Sequence, residues 1–272
     1  MELAILGQEN GAFQLAAVGL VNLARLTAVV SFCPFLAGNV VNIQMKGSMI
    51  MALFLILIPT ALRQAPSSLG IEPVDWLKYV FLAAKEGLIG YFISFVASVI
   101  FWIAQSAGFL IDNQRGASMA AGTDPLSGEE TSPFGSFLFQ GFTLSFFLTG
   151  GILVFLDFLY ESYLFWPPFT FFPVLTGDVA PIFFIKTVEW LSLQTFLLAG
   201  PLVAACLLTD VSLGLINRFA SQLNVYILAM PIKSGIASII MISYYAFLIN
   251  FSPSIFNLMY KRMAALRLAL TP

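Results

Sequence analysis

The sequence predicts an all-α membrane protein built of helical hairpins, and three observations carry that reading. Hydrophobic residues make up 59% of the chain and charged residues only 10%, against roughly 25% charged in soluble domains. With a mean hydropathy of +0.92, the chain has too few polar groups to cover its own surface, so lipid or other subunits must cover it. The apolar runs are continuous and do not alternate. That selects helices over a transmembrane barrel, because backbone groups in lipid must be satisfied internally and barrel strands alternate apolar and polar residues. Finally, polar residues gather between apolar runs long enough to cross a hydrocarbon core of ~30 Å at ~1.5 Å per residue.

The first apolar segment, Phe13 to Leu36, is interrupted by Asn22 and Arg25. An arginine near mid-helix costs ~2.5–3.5 kcal/mol on insertion scales, so Arg25 is expected to face protein or water. Pro34 is expected to kink or end this helix. Gly47 to Leu62, between Lys46 and Arg63, is of marginal length for a span. Residues 63–75 read as a linker, with Asp75 as N-cap of a helix from Trp76 to Ile111. That helix would be ~54 Å long at ~1.5 Å per residue. A break or bend is expected at Lys85-Glu86 and Gly87–Gly90.

Phe134–Leu156 forms a fourth segment and contains Gly150-Gly151. The aromatic stretch Asp157–Gly177 holds Pro167, Pro168 and Pro173, which deny it a regular helix. Its density of rings suits a membrane interface, a re-entrant turn or a subunit contact. Ile182–Thr209 and Val225–Phe251 are the last long segments, joined by a second polar stretch, Asp210–Asn224. Ser252-Pro253 repeats the cap-plus-proline pattern of Ser132-Pro133 and is expected to open a final helix with Lys261, Arg262 and Arg267.

The longest polar interval, Gly108 to Gly135, joins two membrane-length runs. Asp112 and Arg115 stand where the first run should end, and both are expensive in lipid. Small or flexible residues follow without a charge: Gly116, Ala117, Ser118, Met119, Ala120, Ala121 and Gly122. Asp124-Pro125, Gly128 and Glu129-Glu130 break any continuing helix, and Ser132-Pro133 restarts one. Loops of this length are usually functional or disordered.

Several function classes drop out. There is no histidine, which removes Ser-His-Asp triads, Cys-His dyads and HExxH zinc sites. A net charge of −2 argues against nucleic-acid binding. Cys33 and Cys206 lie in apolar runs and read as small core residues. Met1 to Asn10 carries acids and no base, unlike a cleaved signal peptide. No catalytic residue, cofactor or metal site is expected. Two other readings stay open on the residues alone. One is a stand-alone secondary transporter or ion channel using Asp112, Asp157 or Asp210 near mid-membrane. The other is an intramembrane aspartyl protease opposing Asp112 and Asp210, although its GxGD motif is absent.

Two sets of motifs stand in order. The first is Lys85-Glu86-Gly87-Leu88-Ile89-Gly90, then Gly108-Phe109-Leu110-Ile111-Asp112-Asn113-Gln114-Arg115-Gly116, then Ser132-Pro133-Phe134-Gly135. The second is Asp210-x-x-x-Gly214-Leu215-Ile216-Asn217-Arg218, then Gln222-Leu223-Asn224-Val225-Tyr226 and Met230-Pro231-Ile232-Lys233. In this order and spacing the chain resembles the T subunit of the type III secretion export apparatus, whose flagellar counterpart is the FliR protein. The resemblance runs over nearly the whole chain. Where flagellar members usually show Ala-Pro-Gln, this chain has Ala220-Ser221-Gln222, which leans towards a virulence injectisome.

The resemblance implies a subunit of a helical, cone-shaped export pore in the bacterial inner membrane. Residues 1–175 would be the part like an R subunit, with a plug loop over 112–133. Residues 176–272 would be a hairpin like an S subunit, ending in a basic helix. The implied partners are the R and S subunits, the U subunit (the switch protein) and the V subunit (the large export gate protein), with unfolded secreted proteins as cargo and membrane lipid around. Arg115, Gly116, Ala117, Ser118, Met119, Ala120, Ala121 and Gly122 are the implied plug residues. Small side chains there pack without fixing one conformation, and Met119 can fill irregular gaps. Contacts between subunits are implied for Arg25, Lys85, Glu86, Asp112, Asp210, Arg218, Gln222, Asn224 and Lys233.

Overall fold

The computed structural model describes residues 11–37, 42–64, 75–117, 132–170, 179–219 and 224–270. Among the described residues there are eight α-helices and no strand: α1 (Gly11–Phe32), α2 (Pro34–Ala37), α3 (Ile43–Gln64), α4 (Asp75–Arg115), α5 (Pro133–Leu148), α6 (Gly151–Phe165), α7 (Val179–Phe219) and α8 (Val225–Leu270). The all-α membrane fold expected from composition is borne out. By length and composition α3, α4, α7 and α8 can each cross a membrane, and α5 with α6 makes a fifth span if the pair is one broken crossing. The first apolar segment supplies α1, 22 residues long, with Ala16–Phe32 as its apolar stretch.

Proline ends α1 as expected. Cys33 N still donates to Val29 O at 3.0 Å, but Pro34 has no N–H for the next carbonyl, so the helix stops and α2 restarts for one turn. Ser132-Pro133 likewise opens α5, with the Ser132 side chain accepting from Gly135 N at 3.0 Å.

Five expectations need correction. Helix α4 runs unbroken for 41 residues, through Lys85–Gly90. Gly90 serves close approach: a Cβ there would lie 2.5 Å from the Arg25 carbonyl oxygen on α1. By contrast, Phe134–Leu156 is two helices. Gly150 takes φ +74, a left-handed turn that stops α5 after its Thr149 cap, and Gly150 N bonds Phe147 O at 3.2 Å. The aromatic stretch is helical as far as Phe165, where Trp166 N still reaches Ser162 O at 2.9 Å before Pro167 intervenes. The polar joint Asp210–Asn224 is mostly helix, since α7 continues to Phe219, and α8 passes straight through Ser252-Pro253. The Ser252 hydroxyl donates at 2.8 Å to Ile249 O, the carbonyl that Pro253 leaves without its usual N–H partner. Ser145 Oγ bonds Ser252 Oγ at 2.5 Å, so the patch is itself anchored to α5.

The chain forms two compact units interleaved in sequence. The first comprises Met1–Ser98, Ile152–Ala180 and Tyr260–Pro272, and the second Val99–Gly151 and Pro181–Met259. In the first, α1 packs on α3, and Ala17, Val18, Val21, Ala61, Tyr79 and Leu82 form a cluster against Phe169. In the second, Phe101, Phe142, Phe146 and Phe256 meet edge to face, the Phe101–Phe146 centroids 5.4 Å apart, as aromatic quadrupoles favour. Helices α7 and α8 run antiparallel there, since Asp210 meets Lys233 while the earlier Leu198 carbonyl accepts from the later Tyr244 hydroxyl at 3.1 Å. Helix α4 has 67% of its apolar window buried, but α3 and α8 have only 11% and 17%. Those faces are left for lipid or for other subunits.

Candidate functional site

Two charge clusters stand out, one in each unit. In the first unit Arg25, on the buried face of α1, is fully enclosed. Its Nε donates to Glu86 Oε2 at 2.6 Å, Nη1 to Ser162 Oγ at 2.9 Å and Nη2 to Trp166 O at 2.7 Å. The Tyr163 ring lies 4.1 Å beneath the guanidinium. Glu86 is also 0% exposed, and its Oε1 meets Lys85 Nζ at 2.7 Å. Lys85 then reaches the carbonyls of Pro168 at 3.0 Å and Thr170 at 2.7 Å. One carboxylate thus holds two cations, and those cations hold the chain where prolines leave it without helical hydrogen bonds. The charge that looked expensive in α1 is answered inside the chain. Arg25 and Glu86 pair with each other and are 0% exposed within the chain.

In the second unit the cluster lies at the base of the long polar interval. Asp112 sits in the last turn of α4. Its Oδ1 accepts from Arg115 Nε at 2.7 Å, and its Oδ2 accepts from Ser132 Oγ at 2.6 Å and from Phe134 N at 2.9 Å. The last bond satisfies an amide of the first turn of α5, which has no partner within its own helix. A carboxylate at that end also complements the helix dipole. Arg115 stacks 4.2 Å over the Phe134 ring and donates to Ser234 Oγ on α8 at 2.8 Å. Backbone is pressed on backbone beside it: a Cβ on Gly108 would collide with Gly135. Gly116, at φ +79, ends α4, and a Cβ there would meet Met230 Cγ at 3.4 Å. One side chain therefore gathers both ends of the interval. Next to Ser234, Lys233 pairs with Asp210 at 3.0 Å and ties α8 to α7.

Gly108, Gly116 and Gly135 come together with Asp112, Arg115 and Ser132-Pro133, whereas Gly90 lies against Arg25 in the first unit. Ala117 is half-buried beside Gly116. Ser118, Met119, Ala120, Ala121, Gly122 and Gln222 lie outside the described residues. Arg218, near the end of α7, and Asn224, at the start of α8, are exposed. Sequence reasoning missed Ser162 and Ser234, which receive the guanidinium bonds. Neither carries a local signal, since a serine in an apolar helix has many roles. Cys33 and Cys206 are buried free thiols. Among the described residues no group of three or more His, Cys, Asp or Glu comes together as a metal site.

Residues 16–259 match the family of bacterial export proteins, family 1. The chain belongs to that family. It is 30% identical over 232 residues to the surface presentation of antigens protein SpaR of Salmonella typhimurium, covering 85% of this chain and 84% of that protein. It is 43% identical over 171 residues to the Yop proteins translocation protein T of Yersinia pestis, covering 63% of this chain. That match spans 65% of the Yersinia protein, just under two thirds of its length. The flagellar biosynthetic protein FliR of Bacillus subtilis is 29% identical over 191 residues, 70% of this chain and 72% of that protein. The resemblance to the T subunit and FliR read from the motifs is borne out, and this export family is where the two charge clusters must be understood.

Proposed function

We propose that this chain is the T subunit of a type III export gate in the bacterial inner membrane. It has a structural role in a pore that passes unfolded proteins out of the cytoplasm. R and S subunits complete the wall around it, with the U and V subunits adjoining. Residues 1–175 correspond to an R-like part and 176–272 to an S-like hairpin. Arg218, Gln222 and Asn224 make contact with neighbouring subunits. The loop over 112–133, and within it Arg115 to Gly122, plugs the closed pore. Identities of 43% and 30% to the Yersinia and Salmonella proteins, against 29% and 25% to two FliR proteins, favour an injectisome over a flagellum.

The observation that carries the plug is the Asp112 carboxylate. It bonds Arg115 before the loop and Ser132 and Phe134 after it. A segment held at its two ends and composed of small side chains can be displaced without dismantling the helices that carry it. The bare apolar faces of α3, α7 and α8 leave room for neighbouring subunits as well as lipid. Deleting Gly116–Gly122 tests the reading. The complex is expected to form at its normal mass while closed-state membrane conductance rises. An unchanged conductance in an intact complex rejects the plug.

A further inference from the structure

Helix α6 carries a charge that nothing among the described residues answers. Asp157 lies near the middle of its 15 residues and is exposed. It makes no hydrogen bond or ion pair among the described residues. One turn back its face is apolar and bare, with Leu153 68% exposed and Val154 43%, and Leu164 two turns on is 68% exposed, while Tyr160 and Glu161 one turn on are half-buried. Those positions lie three, four and seven residues away, the spacing of one helical face. With α5, this helix forms a candidate span.

Three other carboxylates are answered within the chain, while Glu189 on α7 is exposed as Asp157 is. Glu86 meets Arg25 and Lys85, Asp112 meets Arg115, and Asp210 meets Lys233. A carboxylate facing hydrocarbon alone is costly, and one in a span ordinarily pairs or faces a protein interior. Lipid can cover Leu153 and Leu164 but not Asp157 between them.

We propose that the Leu153–Asp157–Leu164 face of α6 seats an apolar helix of a different subunit, and that this helix presents a single Lys or Arg to Asp157. The apolar flanks supply burial. The carboxylate sets depth and rotation, since only one register brings the cation opposite. A polar group placed once in an apolar seam commonly specifies register in this way. The inference rests on reading the chain as one subunit of an assembly.

The test uses the full chain co-expressed with its R and S partners. A benzophenone amino acid replaces Leu153 or Leu164, the membranes are irradiated, and the adduct peptides are sequenced. The expected adduct joins this chain to a different subunit, at an apolar helix with a Lys or Arg within about one turn of the cross-link. Asp157→Lys is expected to lower recovery of the complex roughly tenfold, the factor that ~1.4 kcal/mol sets, at an unchanged level of the chain in the membrane. Exchanging the partner's cation for Asp should then restore it. Adducts only with lipid, with a second copy of this chain, or with a helix lacking a basic residue overturn the proposal. So does a complex that tolerates Asp157→Lys. If the unsubstituted chain forms no complex at all, the export-gate reading falls as well. Tolerance of Asp157→Lys in an intact complex removes this inference alone.

Discussion

Two arginine–carboxylate pairs of nearly equal length, 2.6 Å for Arg25–Glu86 and 2.7 Å for Arg115–Asp112, do different work. The first joins residues 61 apart, with both side chains 0% exposed. The second is an i,i+3 pair in one helical turn, with 11% and 3% exposure. Around Arg25 every polar group points to another part of the same unit, and the result is a lock. Around Asp112 the carboxylate is shared between a helix end and a helix start, and the result is a latch at the root of a loop. The shared bond length says little about role. What separates them is how far apart in the chain the joined groups lie and how much solvent reaches them.

Breaking each cluster should therefore have effects of different size and kind. Glu86→Gln comes first. It leaves two cations facing a neutral amide, and losing one member of a buried pair costs about 3–5 kcal/mol. Thermal unfolding of the detergent-extracted complex should fall accordingly, with the amount of folded chain in membranes dropping too. If stability were unchanged, the lock would be no lock. Gly108→Ala comes next, because its Cβ has nowhere to go against Gly135. Overpacking of this kind costs about 1–3 kcal/mol, readable as a lower midpoint in the same melt. Asp112→Asn should cost about 1–3 kcal/mol, the range for a buried group left without its partner. Its signature is a raised closed-state conductance smaller than that of the Gly116–Gly122 deletion. A latch mutant that melts early but does not leak would put Asp112 with Glu86. Arg218→Glu is the mildest, since this exposed side chain makes no bond among the described residues. Folding should be untouched, and incorporation into the complex should drop by a few-fold, an effect of ~1 kcal/mol, measured by the mass of the extracted assembly.

Much of this architecture was legible because lipid leaves few solutions for an apolar chain, and the stops at Pro34 and Ser132-Pro133 follow from proline chemistry alone. The errors share a cause. A glycine in a helical run signals either a turn or a close approach, and local sequence does not say which. Gly150 turns the chain, while Gly90 makes room for the Arg25 carbonyl, and only the neighbour decides. The Ser-Pro dipeptide shows the same ambiguity. At 132 it follows a run of helix breakers and meets Asp112 as a ready acceptor. At 252 it follows a largely apolar run without helix breakers, and the serine hydroxyl repairs what the proline damages. The convergence of the glycine and Asp112 motifs was half visible in their order along the chain. Ser162 and Ser234 were not, because they lie 137 and 119 residues from the arginines they serve.

The bonds at Asp112 also imply an order of events during synthesis. Ser132 and Phe134 lie only 20 and 22 residues downstream of the carboxylate that receives them, and closing so short a span costs little chain entropy. As α5 emerges from the ribosome, the acceptor for its first turn has already been made. The α4–α5 hairpin is thus suited to enter the bilayer as one preassembled unit. Arg25, made earlier, must wait until Ser162 and Trp166 have been translated before its guanidinium is fully answered.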